Sequence, residues 1–240
     1  MHTFQDPTSR AYARMTGLLY LIIAVAGGFA ILYVPGALNV PGDPAATFAN
    51  IASQRGLFHA GLLGDVVIMG AEVLVSVMLY FMFRSVSPTL SLAASYARLM
   101  MVAIMASMLF FHAASLALAD GTVPLDSFST DQRLELAGLM RHVHDAGVWI
   151  WQLFFTLHLM LLGTLVLRSG QYPALLGAAL ILGSVGYTLD TVQAFAFPEA
   201  ALLETVKIAF LAVVSLAEIT FALWLLIRGP RETTPQPAFV

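Results

Sequence analysis

Six times along its 240 residues the chain runs through about 20 or more mostly apolar residues, the length of helix that spans a hydrocarbon core. No other feature narrows the fold as much. The segments fall at residues 11–34, 57–83, 90–119, 143–167, 173–194 and 202–227. Irregular backbone cannot face lipid, and nothing alternates at period two as a barrel strand would, so each segment is predicted to be a helix. Charge agrees: 10% of residues are charged, against about 25% in a soluble domain. So few charges could not cover a soluble globule of this size. The predicted fold is all-α, a polytopic bundle of six transmembrane helices in one domain over residues 11–229. A short segment, 1–10, precedes it and a flexible tail, 230–240, follows.

Orientation is read from the basic residues. Arg10, Arg14, Arg84, Arg98, Arg168, Arg228 and Arg231 belong to one side, and Arg55, Arg133, Arg141 and Lys207 to the other. Seven against four predicts both termini in the cytoplasm. The first apolar run exceeds the roughly 7–15 residues of a signal-peptide core, so it is expected to stay as an anchor. The net charge of −3 leaves no basic footprint for nucleic acid. Cysteine is absent, which removes disulfides, thiolate ligands and thiol nucleophiles.

Two outer loops carry helix-start chemistry. In VPGDPAATFANI, Asp43 can cap a helix with Pro44 at its first position. In SFSTDQRLELAGLM, Ser129 and Gln132 have capping-box spacing. Both are expected to be short helices lying at the interface. The junctions FRSVSPTLSLAA, LRSGQYPALLGAA and LIRGP echo one another, a weak repeat that the need for Arg at a membrane boundary also explains.

Ionisable residues inside a membrane are costly and normally face the bundle, where they find partners. At about 1.5 Å per residue, Glu72, His158 and Glu218 fall near the midplane, with Arg98 close by. This inner layer is expected to be a buried charge network. Two carboxylates and one arginine leave one negative charge for a proton or another cation to balance. An outer layer holds Asp65, His112, Asp190 and Lys207, with His144 and Asp145 at the mouth and His59 at the boundary. The Met and aromatic stripes, such as Met101 with Met105 and Trp151 with Phe155, read most simply as core packing.

RHVHDAGVWIWQLFFTLH, residues 141–158, suggests a metal motif and does not sustain one. His142 and His144 point to different faces of a helix, and His144 and His158 lie roughly 21 Å apart along its axis. Neither HExxH nor HxxxH occurs. Candidate metal ligands reduce to His112, Asp65 and Asp190. No cofactor is predicted, with metal and haem left open.

TGLLYLIIAVAGGFA, VPGDPAATFANI, LGDVV with Glu72, YARLMMVAI with Arg98, HDAGVWIWQLFFTLHLMLLGTLVLRSGQYPALLGAAL, GYTLD and AEITFALWLLIRG occur in an order that resembles family 4386 of the bacterial domains of unknown function. The resemblance covers about residues 11–229. It implies a multi-pass membrane protein of bacteria and carries no catalytic set. Asp65, Arg98, His144, Asp145, His158, Asp190 and Glu218 match its pattern, whereas His59, His112 and His142 do not.

The expectation is therefore an integral protein of the inner membrane, more a non-enzyme than an enzyme. Its concrete candidate activity is a small-solute or proton-linked transporter or channel using the buried Asp, Glu and Arg groups. One alternative is a membrane-embedded metal or haem enzyme using the outer His and Asp residues. Another is an accessory or sensing subunit whose charges only fix its helices. The expected partners are the bilayer and a small polar solute or proton. Oligomeric state is left open.

Overall fold

The computed structural model describes residues 6–231, so most of the segment and tail expected at the two ends (1–5 and 232–240) lies outside the described residues. Every regular element among the described residues is helical. Helix α1 spans Arg10–Gly27 and continues through a π-helical turn, Gly28–Tyr33, into the short α2, Val34–Leu38. Then come α3 (Pro44–Ser53), α4 (Arg55–Phe83), α5 (Pro88–Ala119), α6 (Thr130–Ser169), α7 (Ala174–Ala196) and α8 (Ala201–Ile227). Six of these rods are long and apolar enough to cross a membrane, the first being the continuous run Arg10–Leu38. The protein is a multi-pass membrane protein.

Local chemistry sets the helix ends. Asp43 accepts a hydrogen bond from the Ala46 amide at 2.9 Å and caps α3, with Pro44 at its first position. Ser129 and Gln132 form a reciprocal capping box. That box does not open a separate interfacial helix, as the sequence suggested. It opens α6, which runs unbroken for 40 residues to Ser169. No proline interrupts the run, and the stop comes at Gly170, whose positive φ of 64° closes the helix.

The six long helices form a ring in chain order. Helix α4 packs on α5, α5 on α6, α6 on α7 and α7 on α8, while α1 closes the circle against both α8 and α4. The start of α1 and the end of α8 lie on one side, where the flank of Gly229 meets Arg10 and Ala13. We call this the terminus side and the other the loop side.

Close approach of backbones holds the ring. A β-carbon built on Gly17 would lie 2.6 Å from the Ala222 carbonyl, and one on Gly183 would lie 2.5 Å from the Val214 amide. In lipid, where apolar burial gives little drive between helices, such small-residue contacts and short polar links do the holding. Ser76 and Ser95 bond hydroxyl to hydroxyl at 2.9 Å across α4 and α5. Thr156 donates to the Ser184 carbonyl across α6 and α7 at 3.2 Å.

On the loop side, Arg55 pairs with Asp120 at 3.0 Å and ties the start of α4 to the end of α5. The Thr122 hydroxyl and amide also donate to Asp120, and with Arg55 they hold its carboxyl below the usual carboxylate range. The stabilisation from this charged form is thus present at neutral pH and fades only in acid.

Replacing Gly183 by Val should force α7 off α8 and destabilise the bundle by about 1–3 kcal/mol. Gly70 has open space around its β-carbon position, so Gly70→Val should leave stability unchanged. Melting temperatures of the two variants in the same detergent check the contrast.

Candidate functional site

Tyr20, Glu72, Arg98, His158 and Glu218 sit nine to eleven residues from the terminus-side ends of α1, α4, α5, α6 and α8. At about 1.5 Å per residue this is some 15 Å deep, the middle of a hydrocarbon core. Four of the five form one hydrogen-bonded unit. The Arg98 Nε donates to Glu72 Oε2. Its Nη1 donates to the Tyr20 hydroxyl at 2.9 Å and meets His158 Nε2 at 2.8 Å. A guanidinium has only donors, so Nε2 must accept. His158 Nδ1 therefore carries the proton, which it donates to the Ala94 carbonyl at 2.8 Å. The geometry assigns a neutral imidazole fixed in one tautomer. Arg98 and His158 are each only 1% exposed. The guanidinium carbon also lies 4.8 Å from the Tyr20 ring centroid and 5.7 Å from that of Phe155, within cation–π range.

Glu218 behaves differently. It is half-buried, and its carboxylate has no hydrogen bond or ion pair among the described residues. It lines a cavity of about 330 Å³ to which all six long helices contribute. Glu72 and Arg98 line the same space and already pair with each other. So the two inner carboxylates, equivalent by depth, have separate situations. One is matched by arginine, and the other faces the cavity unmatched. Met101, Met105, Trp151 and Phe155, read from sequence as packing, also line this cavity.

The outer layer does not hold together as one site. Asp190 accepts from Lys207 Nζ at 2.8 Å and from Gln152 Nε2 at 3.0 Å, while Lys207 also meets Glu204 at 2.7 Å. These contacts satisfy Asp190 and pin α6, α7 and α8. Asp65, His112, His144 and Asp145 form a separate group lining a second cavity of about 220 Å³. There the His112 and His144 rings are 4.5 Å apart by centroid, and His144 Nδ1 lies 3.1 Å from Asp145 Oδ1. The candidate metal set His112, Asp65 and Asp190 is thus not assembled, because Lys207 and Gln152 engage Asp190 elsewhere. No group of three or more His, Asp or Glu suited to a metal occurs among the described residues. His59 and His142 are exposed.

Ile31, Met105 and Trp151 line both the central and the second cavity and form the wall between them. Farther out, Asp65, His112, His144 and Asp145 also border a small space that reaches Arg141. Arg141 and Asp145 in turn border a surface groove with Asp43 and His142. Separate spaces that share lining residues therefore lie in series between the loop side and the unmatched Glu218. Tyr20 was not foreseen as a partner of Arg98. The available signal was its depth, ten residues into the first span and level with the charges.

Removing Arg98 alone should leave Glu72 buried and uncompensated, a loss of about 3–5 kcal/mol. Arg98→Met should therefore lower the melting temperature sharply. Arg98→Met combined with Glu72→Gln should recover part of the loss, a coupling that a double-mutant cycle in detergent measures.

Comparison with known proteins places this geometry in a family. The family described as "Domain of unknown function (DUF4386)" matches residues 15–229, and the chain belongs to it. An uncharacterized protein of Archaeoglobus fulgidus is 30% identical over 169 residues, covering 70% of this chain and 83% of that protein. No solved structure matches the chain.

Proposed function

We propose that this member of the DUF4386 family carries a small solute across the membrane through the central cavity, linked to a proton or other cation at Glu218. The observation that carries the reading is the unmatched Glu218 carboxylate, facing a cavity of about 330 Å³ at mid-membrane depth. An intramembrane carboxylate with no fixed partner is suited to exchanging one, by taking up a proton or a cation and giving it up again. In this reading the solute passes through the spaces that share Ile31, Met105 and Trp151 as walls, with Asp65 and His144 beyond them, once those walls part. The Arg98 network supplies a rigid wall on the other flank.

A purely structural role fits Arg98, whose bonds to Glu72, Tyr20 and His158 join four helices, but it leaves Glu218 without a task. The reading includes a cytoplasmic location for the termini and the inner membrane of a bacterial cell as the site of action. The basic-residue distribution supports that orientation.

The test is proton entry into pyranine-loaded proteoliposomes under a potassium diffusion potential. Wild-type protein should exceed protein-free vesicles, and Glu218→Gln should fall to the protein-free rate with its melting temperature retained. Asp190→Asn should not abolish flux, because Asp190 is held by Lys207 and Gln152 away from the cavity wall. A Glu218→Gln variant as active as wild type would remove this carboxylate from the mechanism.

A further inference from the structure

The central cavity also opens sideways. Helix α1 meets α8 closely toward the terminus side, where Gly17 abuts Ala222 and the Tyr20 and Phe221 rings meet edge to face. Helix α1 also packs on α4, and the π-helical turn and α2 continue along α4, with Ala30 against Gly64 and Val34 against Gly61. The π-helical turn Gly28–Tyr33 thus follows α4 toward the loop side. Along this stretch the cavity walls are exposed: Ala24 from α1, Gly28, Ile31 and Leu32 from the π-helical turn, and Ser215 and Ile219 from α8. A β-carbon at Gly28 would meet nothing within 4 Å. Ser215 and Ile219 bracket Glu218, about 12–18 Å from the α8 end, so the medium beyond this opening is acyl chain and not water.

The interior has a definite chemistry. Ile23, Ile68, Met101 and Met105 give an apolar floor. Trp151 and Tyr187, with centroids 6.3 Å apart, add aromatic faces. Glu218 adds a carboxyl group with no hydrogen bond or ion pair among the described residues. A carboxylate beside aromatic faces is the combination that holds an alkylated ammonium. The volume is at the lower end of the roughly 300–1,000 Å³ of ligand sites.

We infer that the cavity takes a small amphipathic monocation of the alkyl- or arylammonium class, which reaches it from the lipid between α1 and α8 and has Glu218 as counter-ion. The inference rests on the proposed carrier reading for its place in transport, but not for binding. When Glu218 is ionised, a neutral molecule leaves its charge unanswered and an anion is repelled by it. A strongly hydrated cation would lose its water shell to an apolar wall.

The test is calorimetric titration of the full chain in uncharged detergent. Benzyltrimethylammonium should bind at one site. Neopentylbenzene, its neutral isostere, should bind at least about tenfold more weakly, as should benzyltrimethylammonium to Glu218→Gln, while Glu218→Asp should retain binding. Equal affinity of the cation and its isostere for wild-type protein would overturn the inference without any variant. Stopped-flow association into Gly28→Trp in vesicles should slow at least about fivefold, because Gly28 lines the cavity at its lateral opening and has free space for a large side chain. An unchanged association rate would overturn the lipid route. Binding that depends on Glu218 with no flux in proteoliposomes would uphold the site and defeat the carrier reading. Proton flux that depends on Glu218 with no binding of the ammonium would do the reverse.

Discussion

A guanidinium buried at the middle of a bilayer has to be answered from every side, and the architecture follows from how Arg98 is answered. Its partners come from α1, α4 and α6, and the histidine among them is itself fixed by a carbonyl of the arginine's own helix. No two of these helices can shift in register without stranding a donor in a medium that offers no substitute. The same bonds hold Glu72 out of use. What chemistry remains at this depth is left to Glu218, which the ring brings to the cavity from the far end of the chain.

Much of this arrangement was legible in the sequence because depth in a membrane is nearly a linear function of residue number. Glu72, Arg98 and His158 could be placed at one level by counting turns, and the structure joins them. Counting does not give azimuth. Asp190 and Lys207 share the level of Asp65 and His112 but face the α6–α7–α8 side of the ring, so a layer that looked like one candidate site became two clusters. A signal for the split was present. Asp190 lies six residues before the end of α7 and Lys207 six after the start of α8, which puts opposite charges level across a short turn.

The other departures have equally local causes. The capping box at Ser129 marked a helix start correctly, but nothing in the following residues is a strong enough breaker to separate an interfacial helix from the span beyond it. The stripes of Met and aromatic residues do pack as read, with Met101 and Phe155 in the buried core and Met105 and Trp151 against it, but the same side chains also wall the cavity, which pattern alone does not reveal. Tyr20 was passed over because its hydroxyl carries no charge. Its role depends on Arg98, a partner 78 positions away.

The order of the ring has a consequence for how the molecule is made. Because neighbours in space are neighbours in sequence, each helix can dock as it leaves the ribosome, except that α1 must keep one flank free until α8 arrives. All four members of the Arg98 network belong to segments synthesised before α7, so the arginine can be neutralised and bonded while the circle is still incomplete. The cavity, its lateral opening and its unmatched carboxylate come into being together, with the last helix. Biosynthesis thus secures the residue most dangerous to leave unpaired first, and adds the reactive one only when the walls around it are standing.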